Sequence, residues 1–338
     1  MRELSIAGRR IADDEPPYMV AEVGHNHQGS VALAKRIFDA AARAGADAVK
    51  LQKRDNRTLF TPAFYDSPYD SPHAFGATYG AHREALEFGW VEYTELKAYA
   101  ESLNLHFFAT AFDIPSADFL VRLGVPAIKI ASGDLTNTPL LRYIAGLGIP
   151  VLLSTGGGAM ADVDRAMAAL DGTPAAILQC TAAYPCSEAA LNLRVIETYR
   201  QRFQLEVAGI SDHSEGITAA PAAVALGARV FEKHFTVDRT MKGSDQAFSL
   251  DEAAMTAYVN GIRGAWLALG DGVKAPCRME AAPLRKMAKS PYWGPFGPVL
   301  QSPADGLPAW KIDKFSQGRF LREPLADGQV ITSTGVLG

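Results

Sequence analysis

Short apolar runs alternate with amphipathic helical segments along most of the chain. Eight of these runs are rich in β-branched or aromatic residues and are bounded by Gly, Pro or Asp, which is typical of buried parallel strands. The predicted strands are residues 18–24, 48–52, 106–112, 127–132, 150–155, 175–181, 207–213 and 230–236. Apolar positions three and four residues apart predict helices, for example at 30–44, 91–103, 191–203 and 251–269. Four glycines are predicted helix ends: Gly45, Gly124, Gly148 and Gly227.

Eight strands, each followed by a helical segment, predict an α/β fold of the (β/α)8 TIM-barrel type. Residues 18–270 match the usual barrel size of about 250 residues. The alternative is a doubly wound open sheet, which usually carries a GxGxxG turn after its first strand. The corresponding turn here reads GHNHQGS. We therefore predict a barrel domain at residues 1–285 and a short C-terminal extension at 286–338.

Two segments lie outside the repeat. Residues 53–90 form a long insertion rich in Pro, Tyr, Phe and His, which predicts a lid or a subunit contact. Residues 271–338 contain a possible small β segment at 319–332. The tail also carries several large rings that should not stay in water, namely Tyr292, Trp293, Phe296, Trp310, Phe315 and Phe320. They predict packing on another surface, or else on the base of their own barrel.

Composition excludes several classes of protein. Among the 338 residues, 48% are hydrophobic and 21% charged, which allows a sizeable core and argues against disorder. The 33 basic and 37 acidic residues leave no basic surplus for nucleic acid or an anionic membrane. No run of about 20 apolar residues predicts a membrane helix, and the charged N-terminus predicts no signal peptide. Only three cysteines occur, without zinc spacing, so we expect a soluble cytoplasmic protein.

Polar residues accumulate where the predicted strands end. Because barrel enzymes build their active sites at the carboxyl ends of the strands, this accumulation predicts one catalytic site. The residues concerned are Glu22, Asn26, His27, Lys50, Gln52, Thr110, Asp113, Lys129, Ser132, Asp134, Ser154, Thr155, Thr181, Tyr184, Ser211, Asp212, His213, Glu232, Lys233 and His234. Three further histidines, His25, His73 and His82, lie in loops and are expected to be solvated or part of the lid.

Lys50 and Lys129 are the most informative of these residues. A buried ammonium without a partner is costly, so two inward lysines predict a bound anion. Together with the hydroxyl groups of Thr110, Ser132, Ser154 and Ser211, they predict a cradle for phosphate and carboxylate. The alternative is a buried network in which the lysines pair with Glu22, Asp134 or Asp212.

His213 and His234 end adjacent predicted strands. Imidazoles placed in this way can share one divalent ion and leave positions open for water or substrate. Two nitrogen ligands among oxygens favour Mn²⁺ or Mg²⁺ over structural zinc. Since the neutral imidazole is the ligand, we expect activity to fall below about pH 6.

The strand ends resemble those of the sialic acid synthase family, whose members condense phosphoenolpyruvate with an N-acetylated aldose. The matching segments, in order, are AEVGHNHQGS, VKLQ, FATAFD, KIASGDLTN, LLSTGG, LQCTAAYP with NLRVI, GISDH and ALGARVFEKHFTVD. Eight motifs in order over about residues 18–285 are highly specific. The resemblance implies that phosphoenolpyruvate is held by Lys50, Thr110, Lys129, Ser132, Ser154 and Ser211. It also implies that His213 and His234 bind manganese. The residues that it implies face the sugar, or a water bound to the metal, are Glu22, Gln52, Asp134, Tyr184 and Asp245. Of these, Glu22, Tyr184 and Asp245 are the expected catalytic residues.

The chain departs from the family pattern in three places. The family's G-P-D-H reads Gly243-Ser244-Asp245-Gln246, and the polar residue two before the tyrosine is Ala182. The family's C-terminal antifreeze-like domain, which lends an arginine to the neighbouring subunit's site, is represented at most by its opening strand at 319–332. The family's habit of passing its C-terminal segment to a neighbouring subunit implies a homodimer. These departures leave two alternatives: a synthase that takes a phosphorylated acceptor through Arg54, Arg57 or His82, and a catalytically idle ligand-binding relative.

Overall fold

The computed structural model describes residues 2–204, 206–280 and 283 in full, and the backbone at 290–294, 297–301, 330–332 and 335–337. The chain divides into two compact units, Met1–Gly270 and Asp271–Gly338. The first unit begins with an antiparallel hairpin of β1 (Glu3–Ile6) and β2 (Arg9–Ala12), which the apolar pattern did not predict. Ala7 and Gly8 join its strands with φ of 49° and 80°, the left-handed conformation that two-residue hairpin turns require.

Eight parallel strands follow and close into a barrel, as predicted. They are β3 (Tyr18–Gly24), β4 (Ala48–Lys53), β5 (His106–Ala111), β6 (Ile128–Ile130), β7 (Val151–Ser154), β8 (Ala175–Cys180), β9 (Val207–Asp212) and β10 (Val230–His234). The last strand pairs with the first, Val230 opposite Tyr18, so the sheet has no open edge. This closure excludes the doubly wound alternative, and the prediction of a (β/α)8 barrel is confirmed.

The helices lie between the strands. They are α1 (Val31–Ala44), α2 (Asn56–Leu59), α3 (Pro62–Tyr65), α4 (Tyr79–Leu86), α5 (Trp90–Ser102), α6 (Ile114–Leu123), α7 (Thr138–Ala145), α8 (Met160–Ala169), α9 (Val195–Arg202), α10 (Ala219–Ala225) and α11 (Glu252–Leu269). In α1 the Ser30 hydroxyl accepts from the Leu33 N–H, and Gly45 ends the helix with φ of 85°. The other three predicted helix-ending glycines also have positive φ.

One predicted helix, 191–203, is shorter in the structure. Helix α9 begins only at Val195, because Asn192 adopts φ of 46°, which an α-helix does not allow. Leu191 lies instead in a small apolar cluster with Cys186 and Ala219.

The hairpin covers the end of the barrel where the strands begin. Leu4, Ile6 and Ile11 are buried in the same core as the barrel strands. After the hairpin, the Asp13 carboxylate lies 2.5 Å from Arg200, and its carbonyl accepts from Arg229, the residue before β10. The base of the barrel is thus closed by residues 3–12.

The insertion at 53–90 is folded rather than irregular. It contains α2, α3 and α4, whose first turns are capped by the side chains of Asp55, Thr61 and Thr78. Phe60, Phe64, Tyr69 and Tyr79 pack ring against ring between these short helices. Whether the insertion acts as a lid or as a subunit contact stays a prediction.

The second unit contains an antiparallel sheet. Its strands are β11 (Ser290–Gly294), β12 (Gly297–Gln301), β13 (Val330–Thr332) and β14 (Gly335–Leu337), in the order β12-β11-β13-β14. Of the predicted β segment 319–332, residues 330–332 form β13 and the remainder lies outside the described residues. The packing predicted for the six tail rings also lies outside them. None of the helices in the part of the chain described here is both long and apolar enough to cross a lipid bilayer.

Candidate active site

A cavity of about 450 Å³ opens at the carboxyl ends of the barrel strands. Of the site residues that the family resemblance implied, all but Asp134 line it, so the cavity gathers residues from the carboxyl end of every strand of the barrel. Those lining it are Glu22, Lys50, Gln52, Thr110, Lys129, Ser132, Ser154, Tyr184, Ser211, His213, His234 and Asp245. Seven other polar residues near the strand ends do not line it, namely Asn26, His27, Asp113, Thr155, Thr181, Asp212 and Lys233.

Asp134 is turned away from this cavity. Strand β6 ends at Ile130, two residues earlier than predicted, and residues Ser132–Asp134 form a 3-10 turn. The turn directs the Asp134 carboxylate toward Asn137, whose side-chain N–H donates to it at 3.0 Å. Asn137 in turn caps the first turn of α7. The contacts of Asp134 are therefore those of a residue that stabilises a loop.

Four buried charges form one network on the cavity floor. The Lys50 ammonium lies 2.6 Å from Glu22 and 3.7 Å from Glu232. The Lys129 ammonium lies 3.2 Å from Glu232. The expectation that the two lysines wait for an external anion was therefore incomplete, because two carboxylates already balance them. The alternative reading named Glu22 correctly, but Asp134 and Asp212 take no part and Glu232 was not identified as a partner.

The two carboxyl groups of the network differ in their pKa. Burial raises the pKa of Glu22, and the Lys50 ammonium only partly opposes it, while the Glu232 charge adds to it. Burial also tends to raise the pKa of Glu232, but the charges of Lys129 and Lys50 outweigh burial and lower this pKa to about 2. Two neighbouring carboxyls with diverging pKa values are typical of an acid–base pair. Glu22 is the one suited to gain and lose a proton, whereas Glu232 stays ionised.

Several donors on the cavity floor have capacity for a ligand. The Ser154 hydroxyl is buried and has no hydrogen-bond partner among the described residues. Lys129 has three N–H donors and pairs, in the part of the chain that is described, with Glu232 alone. By contrast, Lys50 also donates to Thr110 at 2.8 Å, and Ser211 donates to Glu232 at 2.9 Å.

The His213 and His234 rings lie side by side, with their centroids 5.3 Å apart. His213 Nδ1 lies 3.1 Å from the Thr181 carbonyl, which can only accept, so Nδ1 carries the proton and Nε2 keeps its lone pair. His234 Nδ1 is buried, has no hydrogen-bond partner among the residues that the structure describes, and lies 3.8 Å from an Asp245 carboxylate oxygen. A buried ring nitrogen without a partner and a second with a fixed tautomer fit a bound metal ion.

Burial keeps both imidazoles neutral. Burial and the neighbouring His234 ring lower the pKa of His213 to about 4. Burial also lowers the pKa of His234, although Asp245 opposes the shift. Burial thus favours the neutral rings that a metal ion needs, and the loss of activity below about pH 6 stays a prediction. Among the described side chains, no group of three or more His, Cys, Asp or Glu is arranged to hold a metal, so the pair would leave other positions to water and substrate.

Tyr184 and Asp245 border the histidine pair. The Tyr184 ring lies 4.3 Å from that of His213, and 54% of its surface remains exposed at the mouth of the cavity. Asp245 lies near Gly24, which has φ of 54°. A Cβ at Gly24 would come within 3.2 Å of Glu22 and Gln52 and within 3.6 Å of Asp245. The absence of a side chain at Gly24 therefore leaves space for these three polar side chains.

One wall of the cavity was largely missed from the sequence. It consists of His25, Arg54, Arg83 and Phe112. His25, expected to be solvated, lies between the two arginines. Of the residues considered for a basic pocket, only Arg54 lines the cavity: Arg57 stacks on Tyr65, and His82 packs among the rings of the insertion.

Two of the residues that depart from the family pattern, Gln246 and Ala182, lie in or beside the site. Gln246 is buried, accepts from Thr236 and donates to the Asn26 carbonyl, so it joins the loops that follow β3 and β10. Ala182 lines the cavity near Ser132 and offers no side-chain donor there. The Ser132 hydroxyl instead accepts from the Gly156 N–H at 3.0 Å.

Comparison with known proteins agrees with this geometry. The family model described as NeuB family matches residues 37–274. The N-acetylneuraminate-9-phosphate synthase of Homo sapiens is 38% identical over 84% of this chain and 79% of its own length. The N,N'-diacetyllegionaminic acid synthase of Legionella pneumophila is 37% identical over 80% and 78%. The crystal structure of N-acetylneuraminic acid (sialic acid) synthetase from Leptospira borgpetersenii, in complex with citrate, has a TM-score of 0.74 and 33% identity over 83% of this chain and 95% of that one. The predicted resemblance is confirmed, and the chain belongs to the NeuB family of sialic acid synthases.

Proposed function

We propose that this enzyme condenses phosphoenolpyruvate with an open-chain N-acylated aldose, such as N-acetylmannosamine or an analogue. The products are a 2-keto-3-deoxy nonulosonic acid and phosphate. One observation carries the proposal: a buried floor with Lys50, Lys129 and a Ser154 hydroxyl that has no hydrogen-bond partner in the described part of the chain lies in one cavity with the imidazoles of His213 and His234.

The floor supplies the donor site. Lys129 has N–H groups beyond its pairing with Glu232, and Ser154 has a buried hydroxyl to offer. These groups would hold the phosphate and carboxylate of phosphoenolpyruvate together with Lys50, Thr110, Ser132 and Ser211. Charge-assisted hydrogen bonds in a water-poor floor are strong, and they remain in place while charge moves during the reaction.

The histidine pair supplies the metal site. His213 Nε2 and His234 Nδ1 are the ring nitrogens available to a divalent ion, for which Mn²⁺ is our first choice and Mg²⁺ the second. When bound, such an ion would supply Lewis-acid polarisation of an aldehyde oxygen.

The remaining residues orient the acceptor and move protons. Carbon 3 of phosphoenolpyruvate bonds to the aldehyde carbon, whose oxygen takes up a proton and becomes a hydroxyl. Water adds to carbon 2 and loses a proton. The carbon–oxygen bond to phosphate then breaks, the proton of the carbon 2 hydroxyl leaves with the phosphate, and the ketone remains. Glu22, whose pKa burial raises, takes the proton that the attacking water loses. Glu232 stays ionised and keeps Lys129 and Lys50 in place. Tyr184 and Asp245 border the acceptor end of the cavity.

Phosphate release tests the proposal. We expect phosphate from phosphoenolpyruvate only when both a divalent metal and an N-acylated aldose are present, and none when the aldose is omitted. A catalytically idle binding protein would release no phosphate with any member of a panel of N-acylated mannosamines, their phosphates and related aldoses. That outcome would contradict the proposal.

We further propose that the enzyme is a cytoplasmic homodimer assembled through its C-terminal extension. Cys180, Cys186 and Cys277 all lie in the described part of the chain and form no disulfide there, which suits a reducing compartment. The large rings of the tail, such as Trp293 and Trp310, are too apolar to stay in water, which favours their burial against a second copy of the chain.

Truncation after Ser290 tests the assembly. Since residues 1–270 form a compact unit, we expect the shortened chain to fold and to bind phosphoenolpyruvate, but to be monomeric and to bind its sugar more weakly. Size-exclusion chromatography with light scattering compares the two lengths. If both are dimers, or both are monomers, the tail has no role in assembly.

A further inference from the structure

We infer that His25, Arg54 and Arg83 form an anion subsite that binds a phosphate group on the acceptor sugar. The inference rests on the proposed function and adds to it the class of acceptor. We call these three residues the arginine wall; all three line the cavity.

The hydrogen bonds within the arginine wall cannot all be satisfied. A guanidinium N–H of Arg54 lies 3.2 Å from His25 Nε2, and one of Arg83 lies 3.3 Å from His25 Nδ1. A neutral imidazole has one acceptor nitrogen and one N–H, and guanidinium groups offer donors alone. Therefore, at one ring nitrogen of a neutral His25, the ring N–H faces a guanidinium N–H. If the ring were protonated, both ring nitrogens would carry an N–H that faces a guanidinium N–H. An incoming acceptor atom would relieve this conflict.

The charge of the arginine wall is also uncompensated. No carboxylate among the described residues forms an ion pair with Arg54 or Arg83, whereas Lys53, next to Arg54 in sequence, pairs with Glu87 at 2.6 Å. Arg54 donates instead to the side-chain oxygen Oε1 of Gln52 at 2.7 Å and lies over the Phe112 ring, and Arg83 donates to the Tyr79 hydroxyl. Arg54 is nevertheless buried, at 7% exposure. Two adjacent cations without an acid, one of them buried, indicate a site for an anion.

The position of the arginine wall separates it from the donor site. Lys50 pairs with Glu22, Glu22 accepts from Gln52, and Gln52 accepts from Arg54. Two side chains thus lie between the lysine of the floor and the first arginine. An anion at the wall is therefore a second one, carried by the other substrate.

The donors of the wall match a phosphate monoester better than a carboxylate. Arg54, Arg83 and the N–H of His25 come from three directions, and a phosphate offers three oxygens with a charge of about −1.5 to −2 near pH 7. A carboxylate has two oxygens in one plane and a single charge. The acceptor that fits is an N-acylated aldose phosphorylated on the hydroxyl far from its aldehyde.

Arg83→Ala tests the subsite, because Arg83 is half-buried and its removal should leave the barrel intact. We expect kcat/KM for N-acetylmannosamine 6-phosphate to fall about 30-fold or more, mainly through KM. The KM for phosphoenolpyruvate and kcat/KM for unphosphorylated N-acetylmannosamine should change less than about twofold. Arg57→Ala is the matched control, since Arg57 belongs to the same insertion but stacks on Tyr65 outside the cavity.

Other results would overturn the inference. They are an unchanged kcat/KM for the phosphorylated sugar, a raised KM for phosphoenolpyruvate, and a preference of the unaltered enzyme for the neutral sugar or for one ending in a carboxylate. Calorimetric titration with N-acetylmannosamine 6-phosphate separates this inference from the proposed function. If no acceptor is turned over, weaker binding to Arg83→Ala than to the unaltered protein still supports the subsite, and equal binding overturns it.

Discussion

We expect the His234→Ala enzyme to lose at least about 100-fold in kcat/KM while keeping its fold, since losing even an outer-shell partner of a metal ligand costs 10–100-fold. His234 Nδ1 is buried without a partner beside His213, so its removal leaves one imidazole for the ion. Removing the metal with a chelator should abolish turnover in the unaltered enzyme, and Mn²⁺ should restore it. In His234→Ala, Mn²⁺ should bind more weakly by calorimetry, which a purely structural role of the ring would not cause.

His106→Gln is the matched control for this experiment. His106 begins β5 at the opposite end of the barrel, where its ring contacts the Tyr18 hydroxyl at 2.7 Å. Its replacement should lower the melting temperature and leave kcat and the metal requirement unchanged. Full turnover by metal-free protein would exclude the assignment of His213 and His234 as ligands.

The Lys129→Ala enzyme should bind phosphoenolpyruvate at least about 30-fold more weakly, a loss of about 2 kcal/mol or more, as expected when a buried charged partner is removed. The substitution removes the lysine that has the most unused N–H donors on the cavity floor. It also leaves the negative charge of Glu232, no longer balanced by Lys129, close to the bound anion. The KM for phosphoenolpyruvate, or its dissociation constant from calorimetry, gives the result. Lys50→Ala should act in the same direction.

Lys53→Met controls for the loss of a buried lysine as such. Lys53 is buried on the other face of β4 and pairs with Glu87, and it does not line the cavity. We expect a destabilised protein with an unchanged KM for phosphoenolpyruvate. If Lys50→Ala and Lys129→Ala both leave this affinity unchanged, the donor binds elsewhere.

The barrel and most of its site could be predicted because both depend on local pattern. The periodicity of a strand or a helix is visible within a few consecutive residues. Because the barrel closes, the ends of all its strands then surround one cavity. Lys50 and His234, 184 positions apart in the sequence, line the same cavity for this reason alone. Asp134 follows β6 within a 3-10 turn, where its carboxylate accepts from Asn137 instead of lining the cavity, and the strand pattern does not predict that turn.

The pairing of Glu232 with the two lysines, and the place of Arg83 in the cavity wall, depend on contacts that no local pattern encodes. Glu232 belongs to the charge network because the parallel registers place β10 beside β3 and β9, and β3 beside β4. Arg83 reaches His25 because three short helices fold the insertion back over the loop that follows β3. A useful signal was nevertheless present: three arginines, Arg54, Arg57 and Arg83, lie in the insertion that follows a lysine-bearing strand.

The most direct test of the central claim is to follow the bridging oxygen of phosphoenolpyruvate. The enzyme is incubated with Mn²⁺, phosphoenolpyruvate labelled with ¹⁸O at the bridging position, and either N-acetylmannosamine or its 6-phosphate. Mass spectrometry then measures the label in phosphate and the yield of 2-keto-3-deoxy acid. We predict one nonulosonic acid for each phosphate released, with the ¹⁸O in the phosphate, because water adds to carbon 2 and the carbon–oxygen bond breaks. Phosphate without the label, phosphate without the sugar acid, or no product from either acceptor would contradict the account.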